Sequence, residues 1–416
     1  MAQKRNWVAI VTMWFIFGMI SFVTNMAAPF GNIWGMSYDW AGMMGNMMNF
    51  AAYLFMGIPA GNMLIKYGYK KTALIALIVG AIGLGIQLLS GVVSNIYVYL
   101  LGALICGFCV CMLNTVVNPM LNLLGGGGNS GNQLIQAGGT INSLTGTLTP
   151  LLAGMLVGTL TKDSFPQVAP LIITGIVIFL ASFFIISFIK IEEPQANLSN
   201  VTYERSVWAF RHAALGFVAI FFYVGIEIAV PGIMNQSISR EGGFEGEAAV
   251  AGSLAAIYWL LMLIGRATST AISGKVSSRA QMITVSVVGI LLMIAAICTG
   301  DVLINLNINL GFITIDNAQV PLSCVFIFLC GLCTSVMWGG IFNLATEGLG
   351  KYTAKASGMF MTCVFGGGVM PLIQERLCVP TLGYLGSYWL VVAMLAYILY
   401  YALFGCKNVN KDIKVD

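Results

Sequence analysis

The sequence predicts an all-α membrane protein with twelve transmembrane helices in two six-helix halves. Three observations lead to this fold class: the apolar composition, the number of apolar runs, and the distribution of lysines and arginines along them. Of 416 residues, 58% are hydrophobic and only 8% are charged. A water-soluble domain carries about 25% charged residues and needs them to cover its surface. The lipid bilayer is therefore the predicted solvent of this chain.

Twelve apolar runs are long enough to cross the bilayer, which takes about 20 mostly apolar residues. The first six predicted spans are 7–30, 41–65, 72–94, 96–124, 133–160 and 168–189. After a polar segment, the remaining six are 208–235, 248–272, 283–304, 320–344, 354–379 and 385–404. The predicted domains are an amino-terminal half (1–189), a cytoplasmic linker (190–207) and a carboxyl-terminal half (208–416).

The basic residues predict which loops face the cytoplasm, because cytoplasmic loops near spans are enriched in lysine and arginine. With the amino terminus inside, most of the 19 basic residues fall on the cytoplasmic side. These are Lys4, Arg5, Lys66, Lys70, Lys71, Lys190, Arg205, Arg211, Lys275, Arg279, Lys351, Lys355, Lys407, Lys411 and Lys414. Lys162, Arg240 and Arg376 fall on the other side, and Arg266 falls within a span. Both termini are therefore predicted to be cytoplasmic, in a multi-pass protein of the plasma (inner) membrane.

One loop departs from the helical pattern. Residues 304–310 alternate apolar side chains with asparagine, and Gly311 then precedes the run 312–315. Alternation with period two is typical of a β-strand, so the segment is either a small external β-hairpin or an irregular loop that extends a helix.

Several classes of protein are excluded by the same composition. The net charge of +4 is spread without a basic stripe, so we expect no nucleic-acid partner. The ten cysteines lie mostly inside apolar runs, and the one histidine, His212, is far from Cys330 and Cys333, so we expect neither a metal nor another cofactor. The first span follows a polar segment and has no small-residue cleavage site after it, so we expect it to remain in the protein.

Amide side chains are concentrated in the amino-terminal half. Asn114, Asn118 and Asn122 recur every four residues and share one helix face, beside Pro119, which frees a backbone carbonyl. Asn25 lies in the first span and Asn142 in the fifth. Polar side chains inside a bilayer are costly and mark functional sites, so the set predicts a polar central cavity. The alternative is that each amide joins two helices.

The single acidic residue in the middle of an apolar span is Glu227. Burial in apolar surroundings favours the acid form of a carboxyl, which suits a group that takes up and releases a proton. The alternative is a carboxyl hydrogen-bonded to a neighbouring helix or paired with Arg266. Pro231, one turn later, predicts a break in this span near the membrane centre.

Two sets of motifs carry a resemblance to known proteins. The segment 61–71, from Gly61 through Lys66 and Gly68 to Lys71, resembles the loop motif G-x-x-x-D-R-x-G-R-R/K of the major facilitator superfamily, with Ile65 at the acidic position and Tyr69 at a basic one. The second set is similar to the fucose:proton symporter family of sugar transporters. It comprises 348–353, 366–371, 223–227, Gly265-Arg266, Asn118-Pro119 and Asn142-Ser143.

This resemblance implies a major facilitator fold and an alternating-access carrier of a neutral monosaccharide such as fucose, galactose or glucose. Relatives of the fucose permease carry acids where this chain has Asn25, ahead of Pro29, and Asn114, four residues before Asn118-Pro119. An amide cannot titrate, so coupling to a proton passes through Glu227, the driving ion is Na⁺, or the protein is a facilitator.

The sequence therefore predicts a transporter rather than an enzyme. The predicted substrate-binding residues are Asn25, Asn114, Asn118, Asn142, Trp338 and Asn343. Glu227 is the predicted cation-coupling residue, and Gly61, Lys66, Gly68 and Arg266 are predicted to form the cytoplasmic gate. The expected partners are a small-molecule sugar and the lipid bilayer, and we expect a monomer. The rival hypotheses are a carrier of another small polar solute and a membrane sugar sensor that does not transport.

Overall fold

A computed structural model describes residues 6–35, 38, 44–157, 165–189, 203–239, 248–300, 302–311, 313–410 and 413–415. The helices are α1 (Trp7–Gly35), α2 (Met44–Val92), α3 (Ile96–Leu124), α4 (Gly128–Val157), α5 (Phe165–Phe188), α6 (Arg211–Ser239), α7 (Ala248–Ile272), α8 (Ser278–Thr299), α9 (Ser323–Thr334), α10 (Met337–Thr346), α11 (Thr353–Cys363), α12 (Gly366–Ile373), α13 (Val379–Gly386) and α14 (Trp389–Tyr400). Two strands, β1 (Leu303–Asn309) and β2 (Thr314–Pro321), lie between α8 and α9. Most of the predicted linker, 190–202, lies outside the described residues.

The predicted all-helical membrane fold is confirmed. Within the described residues, nine helices are long and apolar enough to cross a membrane. One of them, 47–92, has 46 residues, about twice the length of one crossing, and covers most of the second and third predicted spans. The fifth and twelfth predicted spans correspond to α4, which is richer in polar residues, and to the shorter apolar helix 389–405.

The junction between the second and third predicted spans is a sharp turn at Gly68 rather than a loop. Two helical segments of α2 meet at a kink at Gly68, which has a φ of 78° and a ψ of 175°. This left-handed conformation favours glycine, which has no Cβ. The Thr72 hydroxyl donates to the Gly68 carbonyl at 2.7 Å, so a side chain satisfies a carbonyl that the turn exposes.

The predicted ends of the ninth and tenth spans are wrong. Ser277 caps the amino end of α8, where its hydroxyl accepts a hydrogen bond from the Ala280 amide at 3.2 Å, and α8 ends at Thr299. Ile304, the predicted end of the ninth span, lies in β1, and Val320, the predicted start of the tenth, lies in β2. The apolar strand residues Ile304 and Val320 were therefore wrongly included in the two predicted helices.

The segment between α8 and α9 is a β-hairpin, as the first of the two alternatives predicts, and its external position remains a prediction. β1 and β2 pair antiparallel, with Ile304 opposite Val320 and Leu306 opposite Ala318. Exposed and half-buried residues alternate along β1 as its sequence predicts. The register shifts between Leu306 and Ile308, where Asn317 on the other strand has a φ of 47°, consistent with a β-bulge.

The chain divides into two compact units. Unit 1 comprises Met1–Ala209, Thr346–Phe365 and Asn410–Asp416, and unit 2 comprises Phe210–Ala345 and Gly366–Val409. In unit 1, α2 packs against α3, α5 and α11, and α1 packs against α4. In unit 2, α6 packs against α7 and α12, and α9 packs between α7 and α8. The division into two six-helix halves remains a prediction.

A basic residue caps the carboxyl end of one helix in each unit. In unit 1, Lys70 Nζ donates to the carbonyls of Ser187 and Ile189, each at 2.8 Å, at the end of α5. In unit 2, Arg279 donates to the carbonyls of Ala402 and Leu403 at 2.9 and 2.7 Å, in the π-helical turn after α14. The last carbonyls of a helix have no partner within it, and a cation there also interacts favourably with the helix dipole.

The two caps predict a loss of stability when either cation is neutralised. Lys70→Gln and Arg279→Gln should each lower the free energy of unfolding by about 1–2 kcal/mol, because hydrogen bonds from a charged donor are lost. Unfolding in detergent can be followed with a thiol-reactive dye, since most of the cysteines are buried. The exposed neighbours Lys71 and Lys275 provide matched controls, as Lys71→Gln and Lys275→Gln. Equal melting temperatures for capping and control variants would contradict the prediction.

Candidate functional site

The carboxyl group of Glu227 forms an ion pair with Arg266 inside unit 2. Glu227 lies near the middle of α6 and Arg266 lies on α7, with Arg266 Nη2 at 3.1 Å from Glu227 Oε1. The Glu227 side chain is only 14% exposed, and the Arg266 side chain is only 10% exposed. The same Nη2 donates to the hydroxyl of Tyr223 at 3.4 Å. Of the alternatives for Glu227, the structure has the carboxyl paired with Arg266.

Arg266 thus contacts the predicted coupling residue. It lies six positions before Ile272, the last residue of α7, which corresponds to about 9 Å along the helix axis. Its predicted role in the cytoplasmic gate remains a prediction. The ion pair gives it a second possible role, as the counter-ion of Glu227.

Aromatic side chains surround the ion pair. The rings of Tyr223 and Trp338 meet edge to face, with centroids 6.3 Å apart, and Trp338 is half-buried. The fully buried Tyr258 shares a hydrogen bond of 2.9 Å with Thr334. The structure therefore links Trp338, through Tyr223, to the two charged residues.

The seventh span is not broken at its proline. α6 is continuous past Pro231, so the predicted interruption is wrong. Pro231 has no N–H to donate to the carbonyl of Glu227, four residues earlier. The carbonyl of Val230 accepts a hydrogen bond from the buried Tyr388 hydroxyl at 3.0 Å.

Asn343 lies away from Trp338 on the same helix. The two residues are five positions apart on α10, which rotates them by about 140° around the helix axis. The Asn343 amide donates to the Ser278 hydroxyl at the start of α8, at 2.9 Å, and it is buried. The contact joins two helices, as the alternative hypothesis for the amides expects, and substrate binding by Asn343 remains a prediction.

The amides of α3 make separate contacts along one face in unit 1. Asn114 Nδ2 donates to the hydroxyl of Tyr53 on α2 at 2.8 Å. Asn118 Nδ2 donates to the Asn114 carbonyl at 2.9 Å, and Asn122 Nδ2 donates to Thr346 Oγ1 at 3.3 Å. Asn114 and Asn118 are thus brought together, with Tyr53 beside them.

Asn25 and Asn142 both donate to the backbone of α1. Asn25 Nδ2 lies 2.8 Å from the Ser21 carbonyl and 3.1 Å from the Ser21 hydroxyl, within its own helix. Asn142 Nδ2, on α4, donates to the Phe17 carbonyl at 2.9 Å. Both side chains are half-buried. Asn142 therefore joins α4 to α1, and both residues remain predicted binding residues.

Three of the predicted gating residues follow one another on α2. A Cβ atom at Gly61 would lie 3.0 Å from the Ala354 carbonyl oxygen and from Gly358 Cα, so Gly61 allows α2 and α11 to approach closely. Gly68 forms the turn described above. Lys66 is exposed, and its Nζ lies 5.2 Å from the centroid of the Tyr67 ring.

Sequence reasoning missed several partners of these residues. Thr346 and Ser278 had no distinguishing pattern, because single hydroxyl residues are common in apolar helices. Tyr53 stood out only as one of many aromatic residues. Within the described residues, no group of three or more His, Cys, Asp or Glu side chains could hold a metal ion.

Residues 8–371 match the family profile of the Major Facilitator Superfamily. The chain belongs to this superfamily. It is therefore a transport protein and not an enzyme, as the sequence predicts.

Relatives and solved structures extend the likeness over the full chain. The protein is 26% identical to a glucose/galactose transporter of Brucella abortus (strain 2308), over 96% of this chain and 94% of that protein. It is also 26% identical to a putative glucose/galactose transporter of Helicobacter pylori (strain ATCC 700392 / 26695), over 96% of both chains.

A crystal structure of the Escherichia coli fucose:proton symporter FucP superposes with a TM-score of 0.81 at 17% identity, over 97% of this chain and 100% of that chain. The proton:xylose symporter XylE, bound to 6-bromo-6-deoxy-D-glucose, has a TM-score of 0.74 at 10% identity over 97% of both chains. The resemblance drawn from the motifs is confirmed.

The ion pair predicts an unequal response to mutation. Arg266→Met should lower the free energy of unfolding by about 3 kcal/mol, because it leaves a buried carboxylate without its counter-ion. Arg266→Met combined with Glu227→Gln should recover part of that loss, because the unpaired charge is gone. Thermal unfolding of the two single variants and the double variant measures the coupling. A double variant as unstable as the sum of the singles would contradict the prediction.

Proposed function

We propose that the protein is a secondary transporter that carries a neutral monosaccharide of the fucose, galactose or glucose type across the plasma (inner) membrane by alternating access. Membership of the major facilitator superfamily supports the mechanism. The sugar class is supported by the likeness to proteins named glucose/galactose transporters over nearly the whole chain. The protein would act as a monomer with both termini in the cytoplasm.

The polar groups in unit 1 fit a sugar better than a charged solute. The α3 face presents Asn114 and Asn118 beside the Tyr53 hydroxyl, and these groups both donate and accept hydrogen bonds without carrying a charge. Sugar hydroxyls need such paired donors and acceptors. Asn25 and Asn142 would contribute amides from α1 and α4 of the same unit. Trp338 and Asn343, in unit 2, stay predicted binding residues.

The Glu227–Arg266 pair is the observation that carries the coupling proposal. A proton on Glu227 and the guanidinium of Arg266 stabilise the same carboxylate, so protonation would weaken the pair at 3.1 Å. A sodium ion at Glu227 would instead lie beside the arginine cation and be repelled by it. We therefore favour coupling to a proton over coupling to Na⁺.

We also propose that the chain consists of two six-helix halves, 1–189 and 208–416, joined by the linker 190–207. The two capped helix ends support it. Lys70 follows the second predicted span and caps the sixth, while Arg279 follows the eighth and caps the twelfth. Matching contacts at matching positions are expected of two related six-helix repeats.

Uptake into proteoliposomes tests the function. Labelled fucose, galactose and glucose should each be offered with an inward proton gradient, an inward Na⁺ gradient or no gradient. We expect accumulation of at least one sugar under the proton gradient. Equilibration without accumulation would indicate a facilitator. Accumulation under the Na⁺ gradient alone would identify Na⁺, rather than the proton, as the coupling ion. Binding of a sugar without flux under any gradient would favour the sensor, and transport of none of these sugars would contradict the sugar proposal.

Glu227→Gln tests the coupling step. The amide keeps the size of the side chain but cannot take up a proton, so accumulation driven by a pH gradient should be abolished. Counterflow exchange of sugar, which needs no net proton movement, should continue. Glu347→Gln, at an exposed glutamate, is the control and should retain accumulation. Full accumulation by Glu227→Gln would remove Glu227 from the coupling mechanism.

A further inference from the structure

The backbone carbonyl of Thr115 is freed within α3 and bonded to another helix. Pro119 lies four residues after Thr115 in α3 and has no N–H to donate to that carbonyl. The Ser357 hydroxyl of α11 donates to it instead, at 3.2 Å. Thr115 and Ser357 are both completely buried. A contact between helices therefore replaces one hydrogen bond of α3.

The Ser357 contact lies within a continuous interface in unit 1. Residues 346–365 belong in sequence to the predicted carboxyl-terminal half but pack with unit 1. Thr346 accepts from Asn122 at 3.3 Å. A Cβ at Gly358, next to Ser357, would lie 2.8 Å from Gly61 Cα. The segment 346–365 is thus in close contact with both α2 and α3.

We propose that the Thr115 carbonyl is a latch that holds segment 346–365 against α3. While Ser357 is in place, the carbonyl has a partner. When the segment separates, the carbonyl has no donor at the fourth following residue, and a buried carbonyl without a partner costs free energy. Pro119 thus favours the joined arrangement by making the separated one less stable. A water or sugar hydroxyl that reached the carbonyl would lower this barrier.

This inference rests on the proposed function in one respect, because the separation is the movement that alternating access requires. The latch itself is a property of the helix contacts and can be measured without any sugar. Failure to transport sugar would therefore leave it testable.

A double-mutant cycle between Pro119 and Ser357 tests the latch. Pro119→Ala restores an N–H that can donate to the Thr115 carbonyl inside α3, so that carbonyl keeps a partner when the segment separates. Hydrogen–deuterium exchange of the full-length protein in nanodiscs, read by mass spectrometry on peptides from 346–365, reports the separation. Ser357→Ala should raise exchange in these peptides about fivefold, the effect of one ordinary hydrogen bond.

The two backgrounds distinguish the latch from simple packing. In the Pro119→Ala background, Ser357→Ala should have much less effect than in the native chain. Ser90→Ala is the matched control, because Ser90 is also completely buried and its hydroxyl bonds only the Gln87 carbonyl of its own helix. The same fold-change for Ser357→Ala in both backgrounds would overturn the proposal, as would no change in the native background. Ser357→Ala is a small substitution. Its effect on exchange in the native background can therefore be measured even if Pro119→Ala folds poorly.

Discussion

Inside a bilayer every polar group must find its partner within the protein, and this constraint determines the contacts of the candidate site. Lipid tails offer no hydrogen bonds, so the Asn114 amide pairs with Tyr53 and the Asn142 amide pairs with the Phe17 carbonyl. Glu227 pairs with Arg266. Interhelical hydrogen bonds contribute to helix association in a bilayer, together with close packing, so these polar pairs help to hold neighbouring helices together.

The helix backbone is subject to the same constraint where α3 contains a proline. Removal of one donor by Pro119 leaves the Thr115 carbonyl without its partner in α3, and Ser357 of α11 donates to it instead. At the helix ends the constraint is met by cations, with Lys70 on α5 and Arg279 beyond α14. A substitution that leaves the apolar pattern unchanged can therefore still alter how two helices associate.

The sequence was sufficient to predict the helical membrane fold, because about 20 apolar residues have few alternatives to a spanning helix. It also identified the polar residues inside the spans, since each is exceptional there. It did not assign the partners of the amides, and it named Arg266 only as one alternative partner of Glu227. The two residues lie on different helices, and nothing in the spacing specifies that α6 and α7 bring them together. The extension of β2 past Ile315 was missed because Asp316 and Asn317 break the apolar alternation, and the Asn317 bulge compensates for the break.

The scarcity of charge connects the fold to the proposed mechanism. The resemblance to the fucose:proton symporter family implies acids at two positions where this chain has the amides Asn25 and Asn114, and an amide cannot titrate. Under the proposed function, Glu227 takes up the proton that drives transport. Arg266 holds the same carboxylate, so a proton and the arginine cannot both satisfy it fully. Under the proposed coupling, protonation of Glu227 would weaken its pairing with Arg266 and so the contact between α6 and α7.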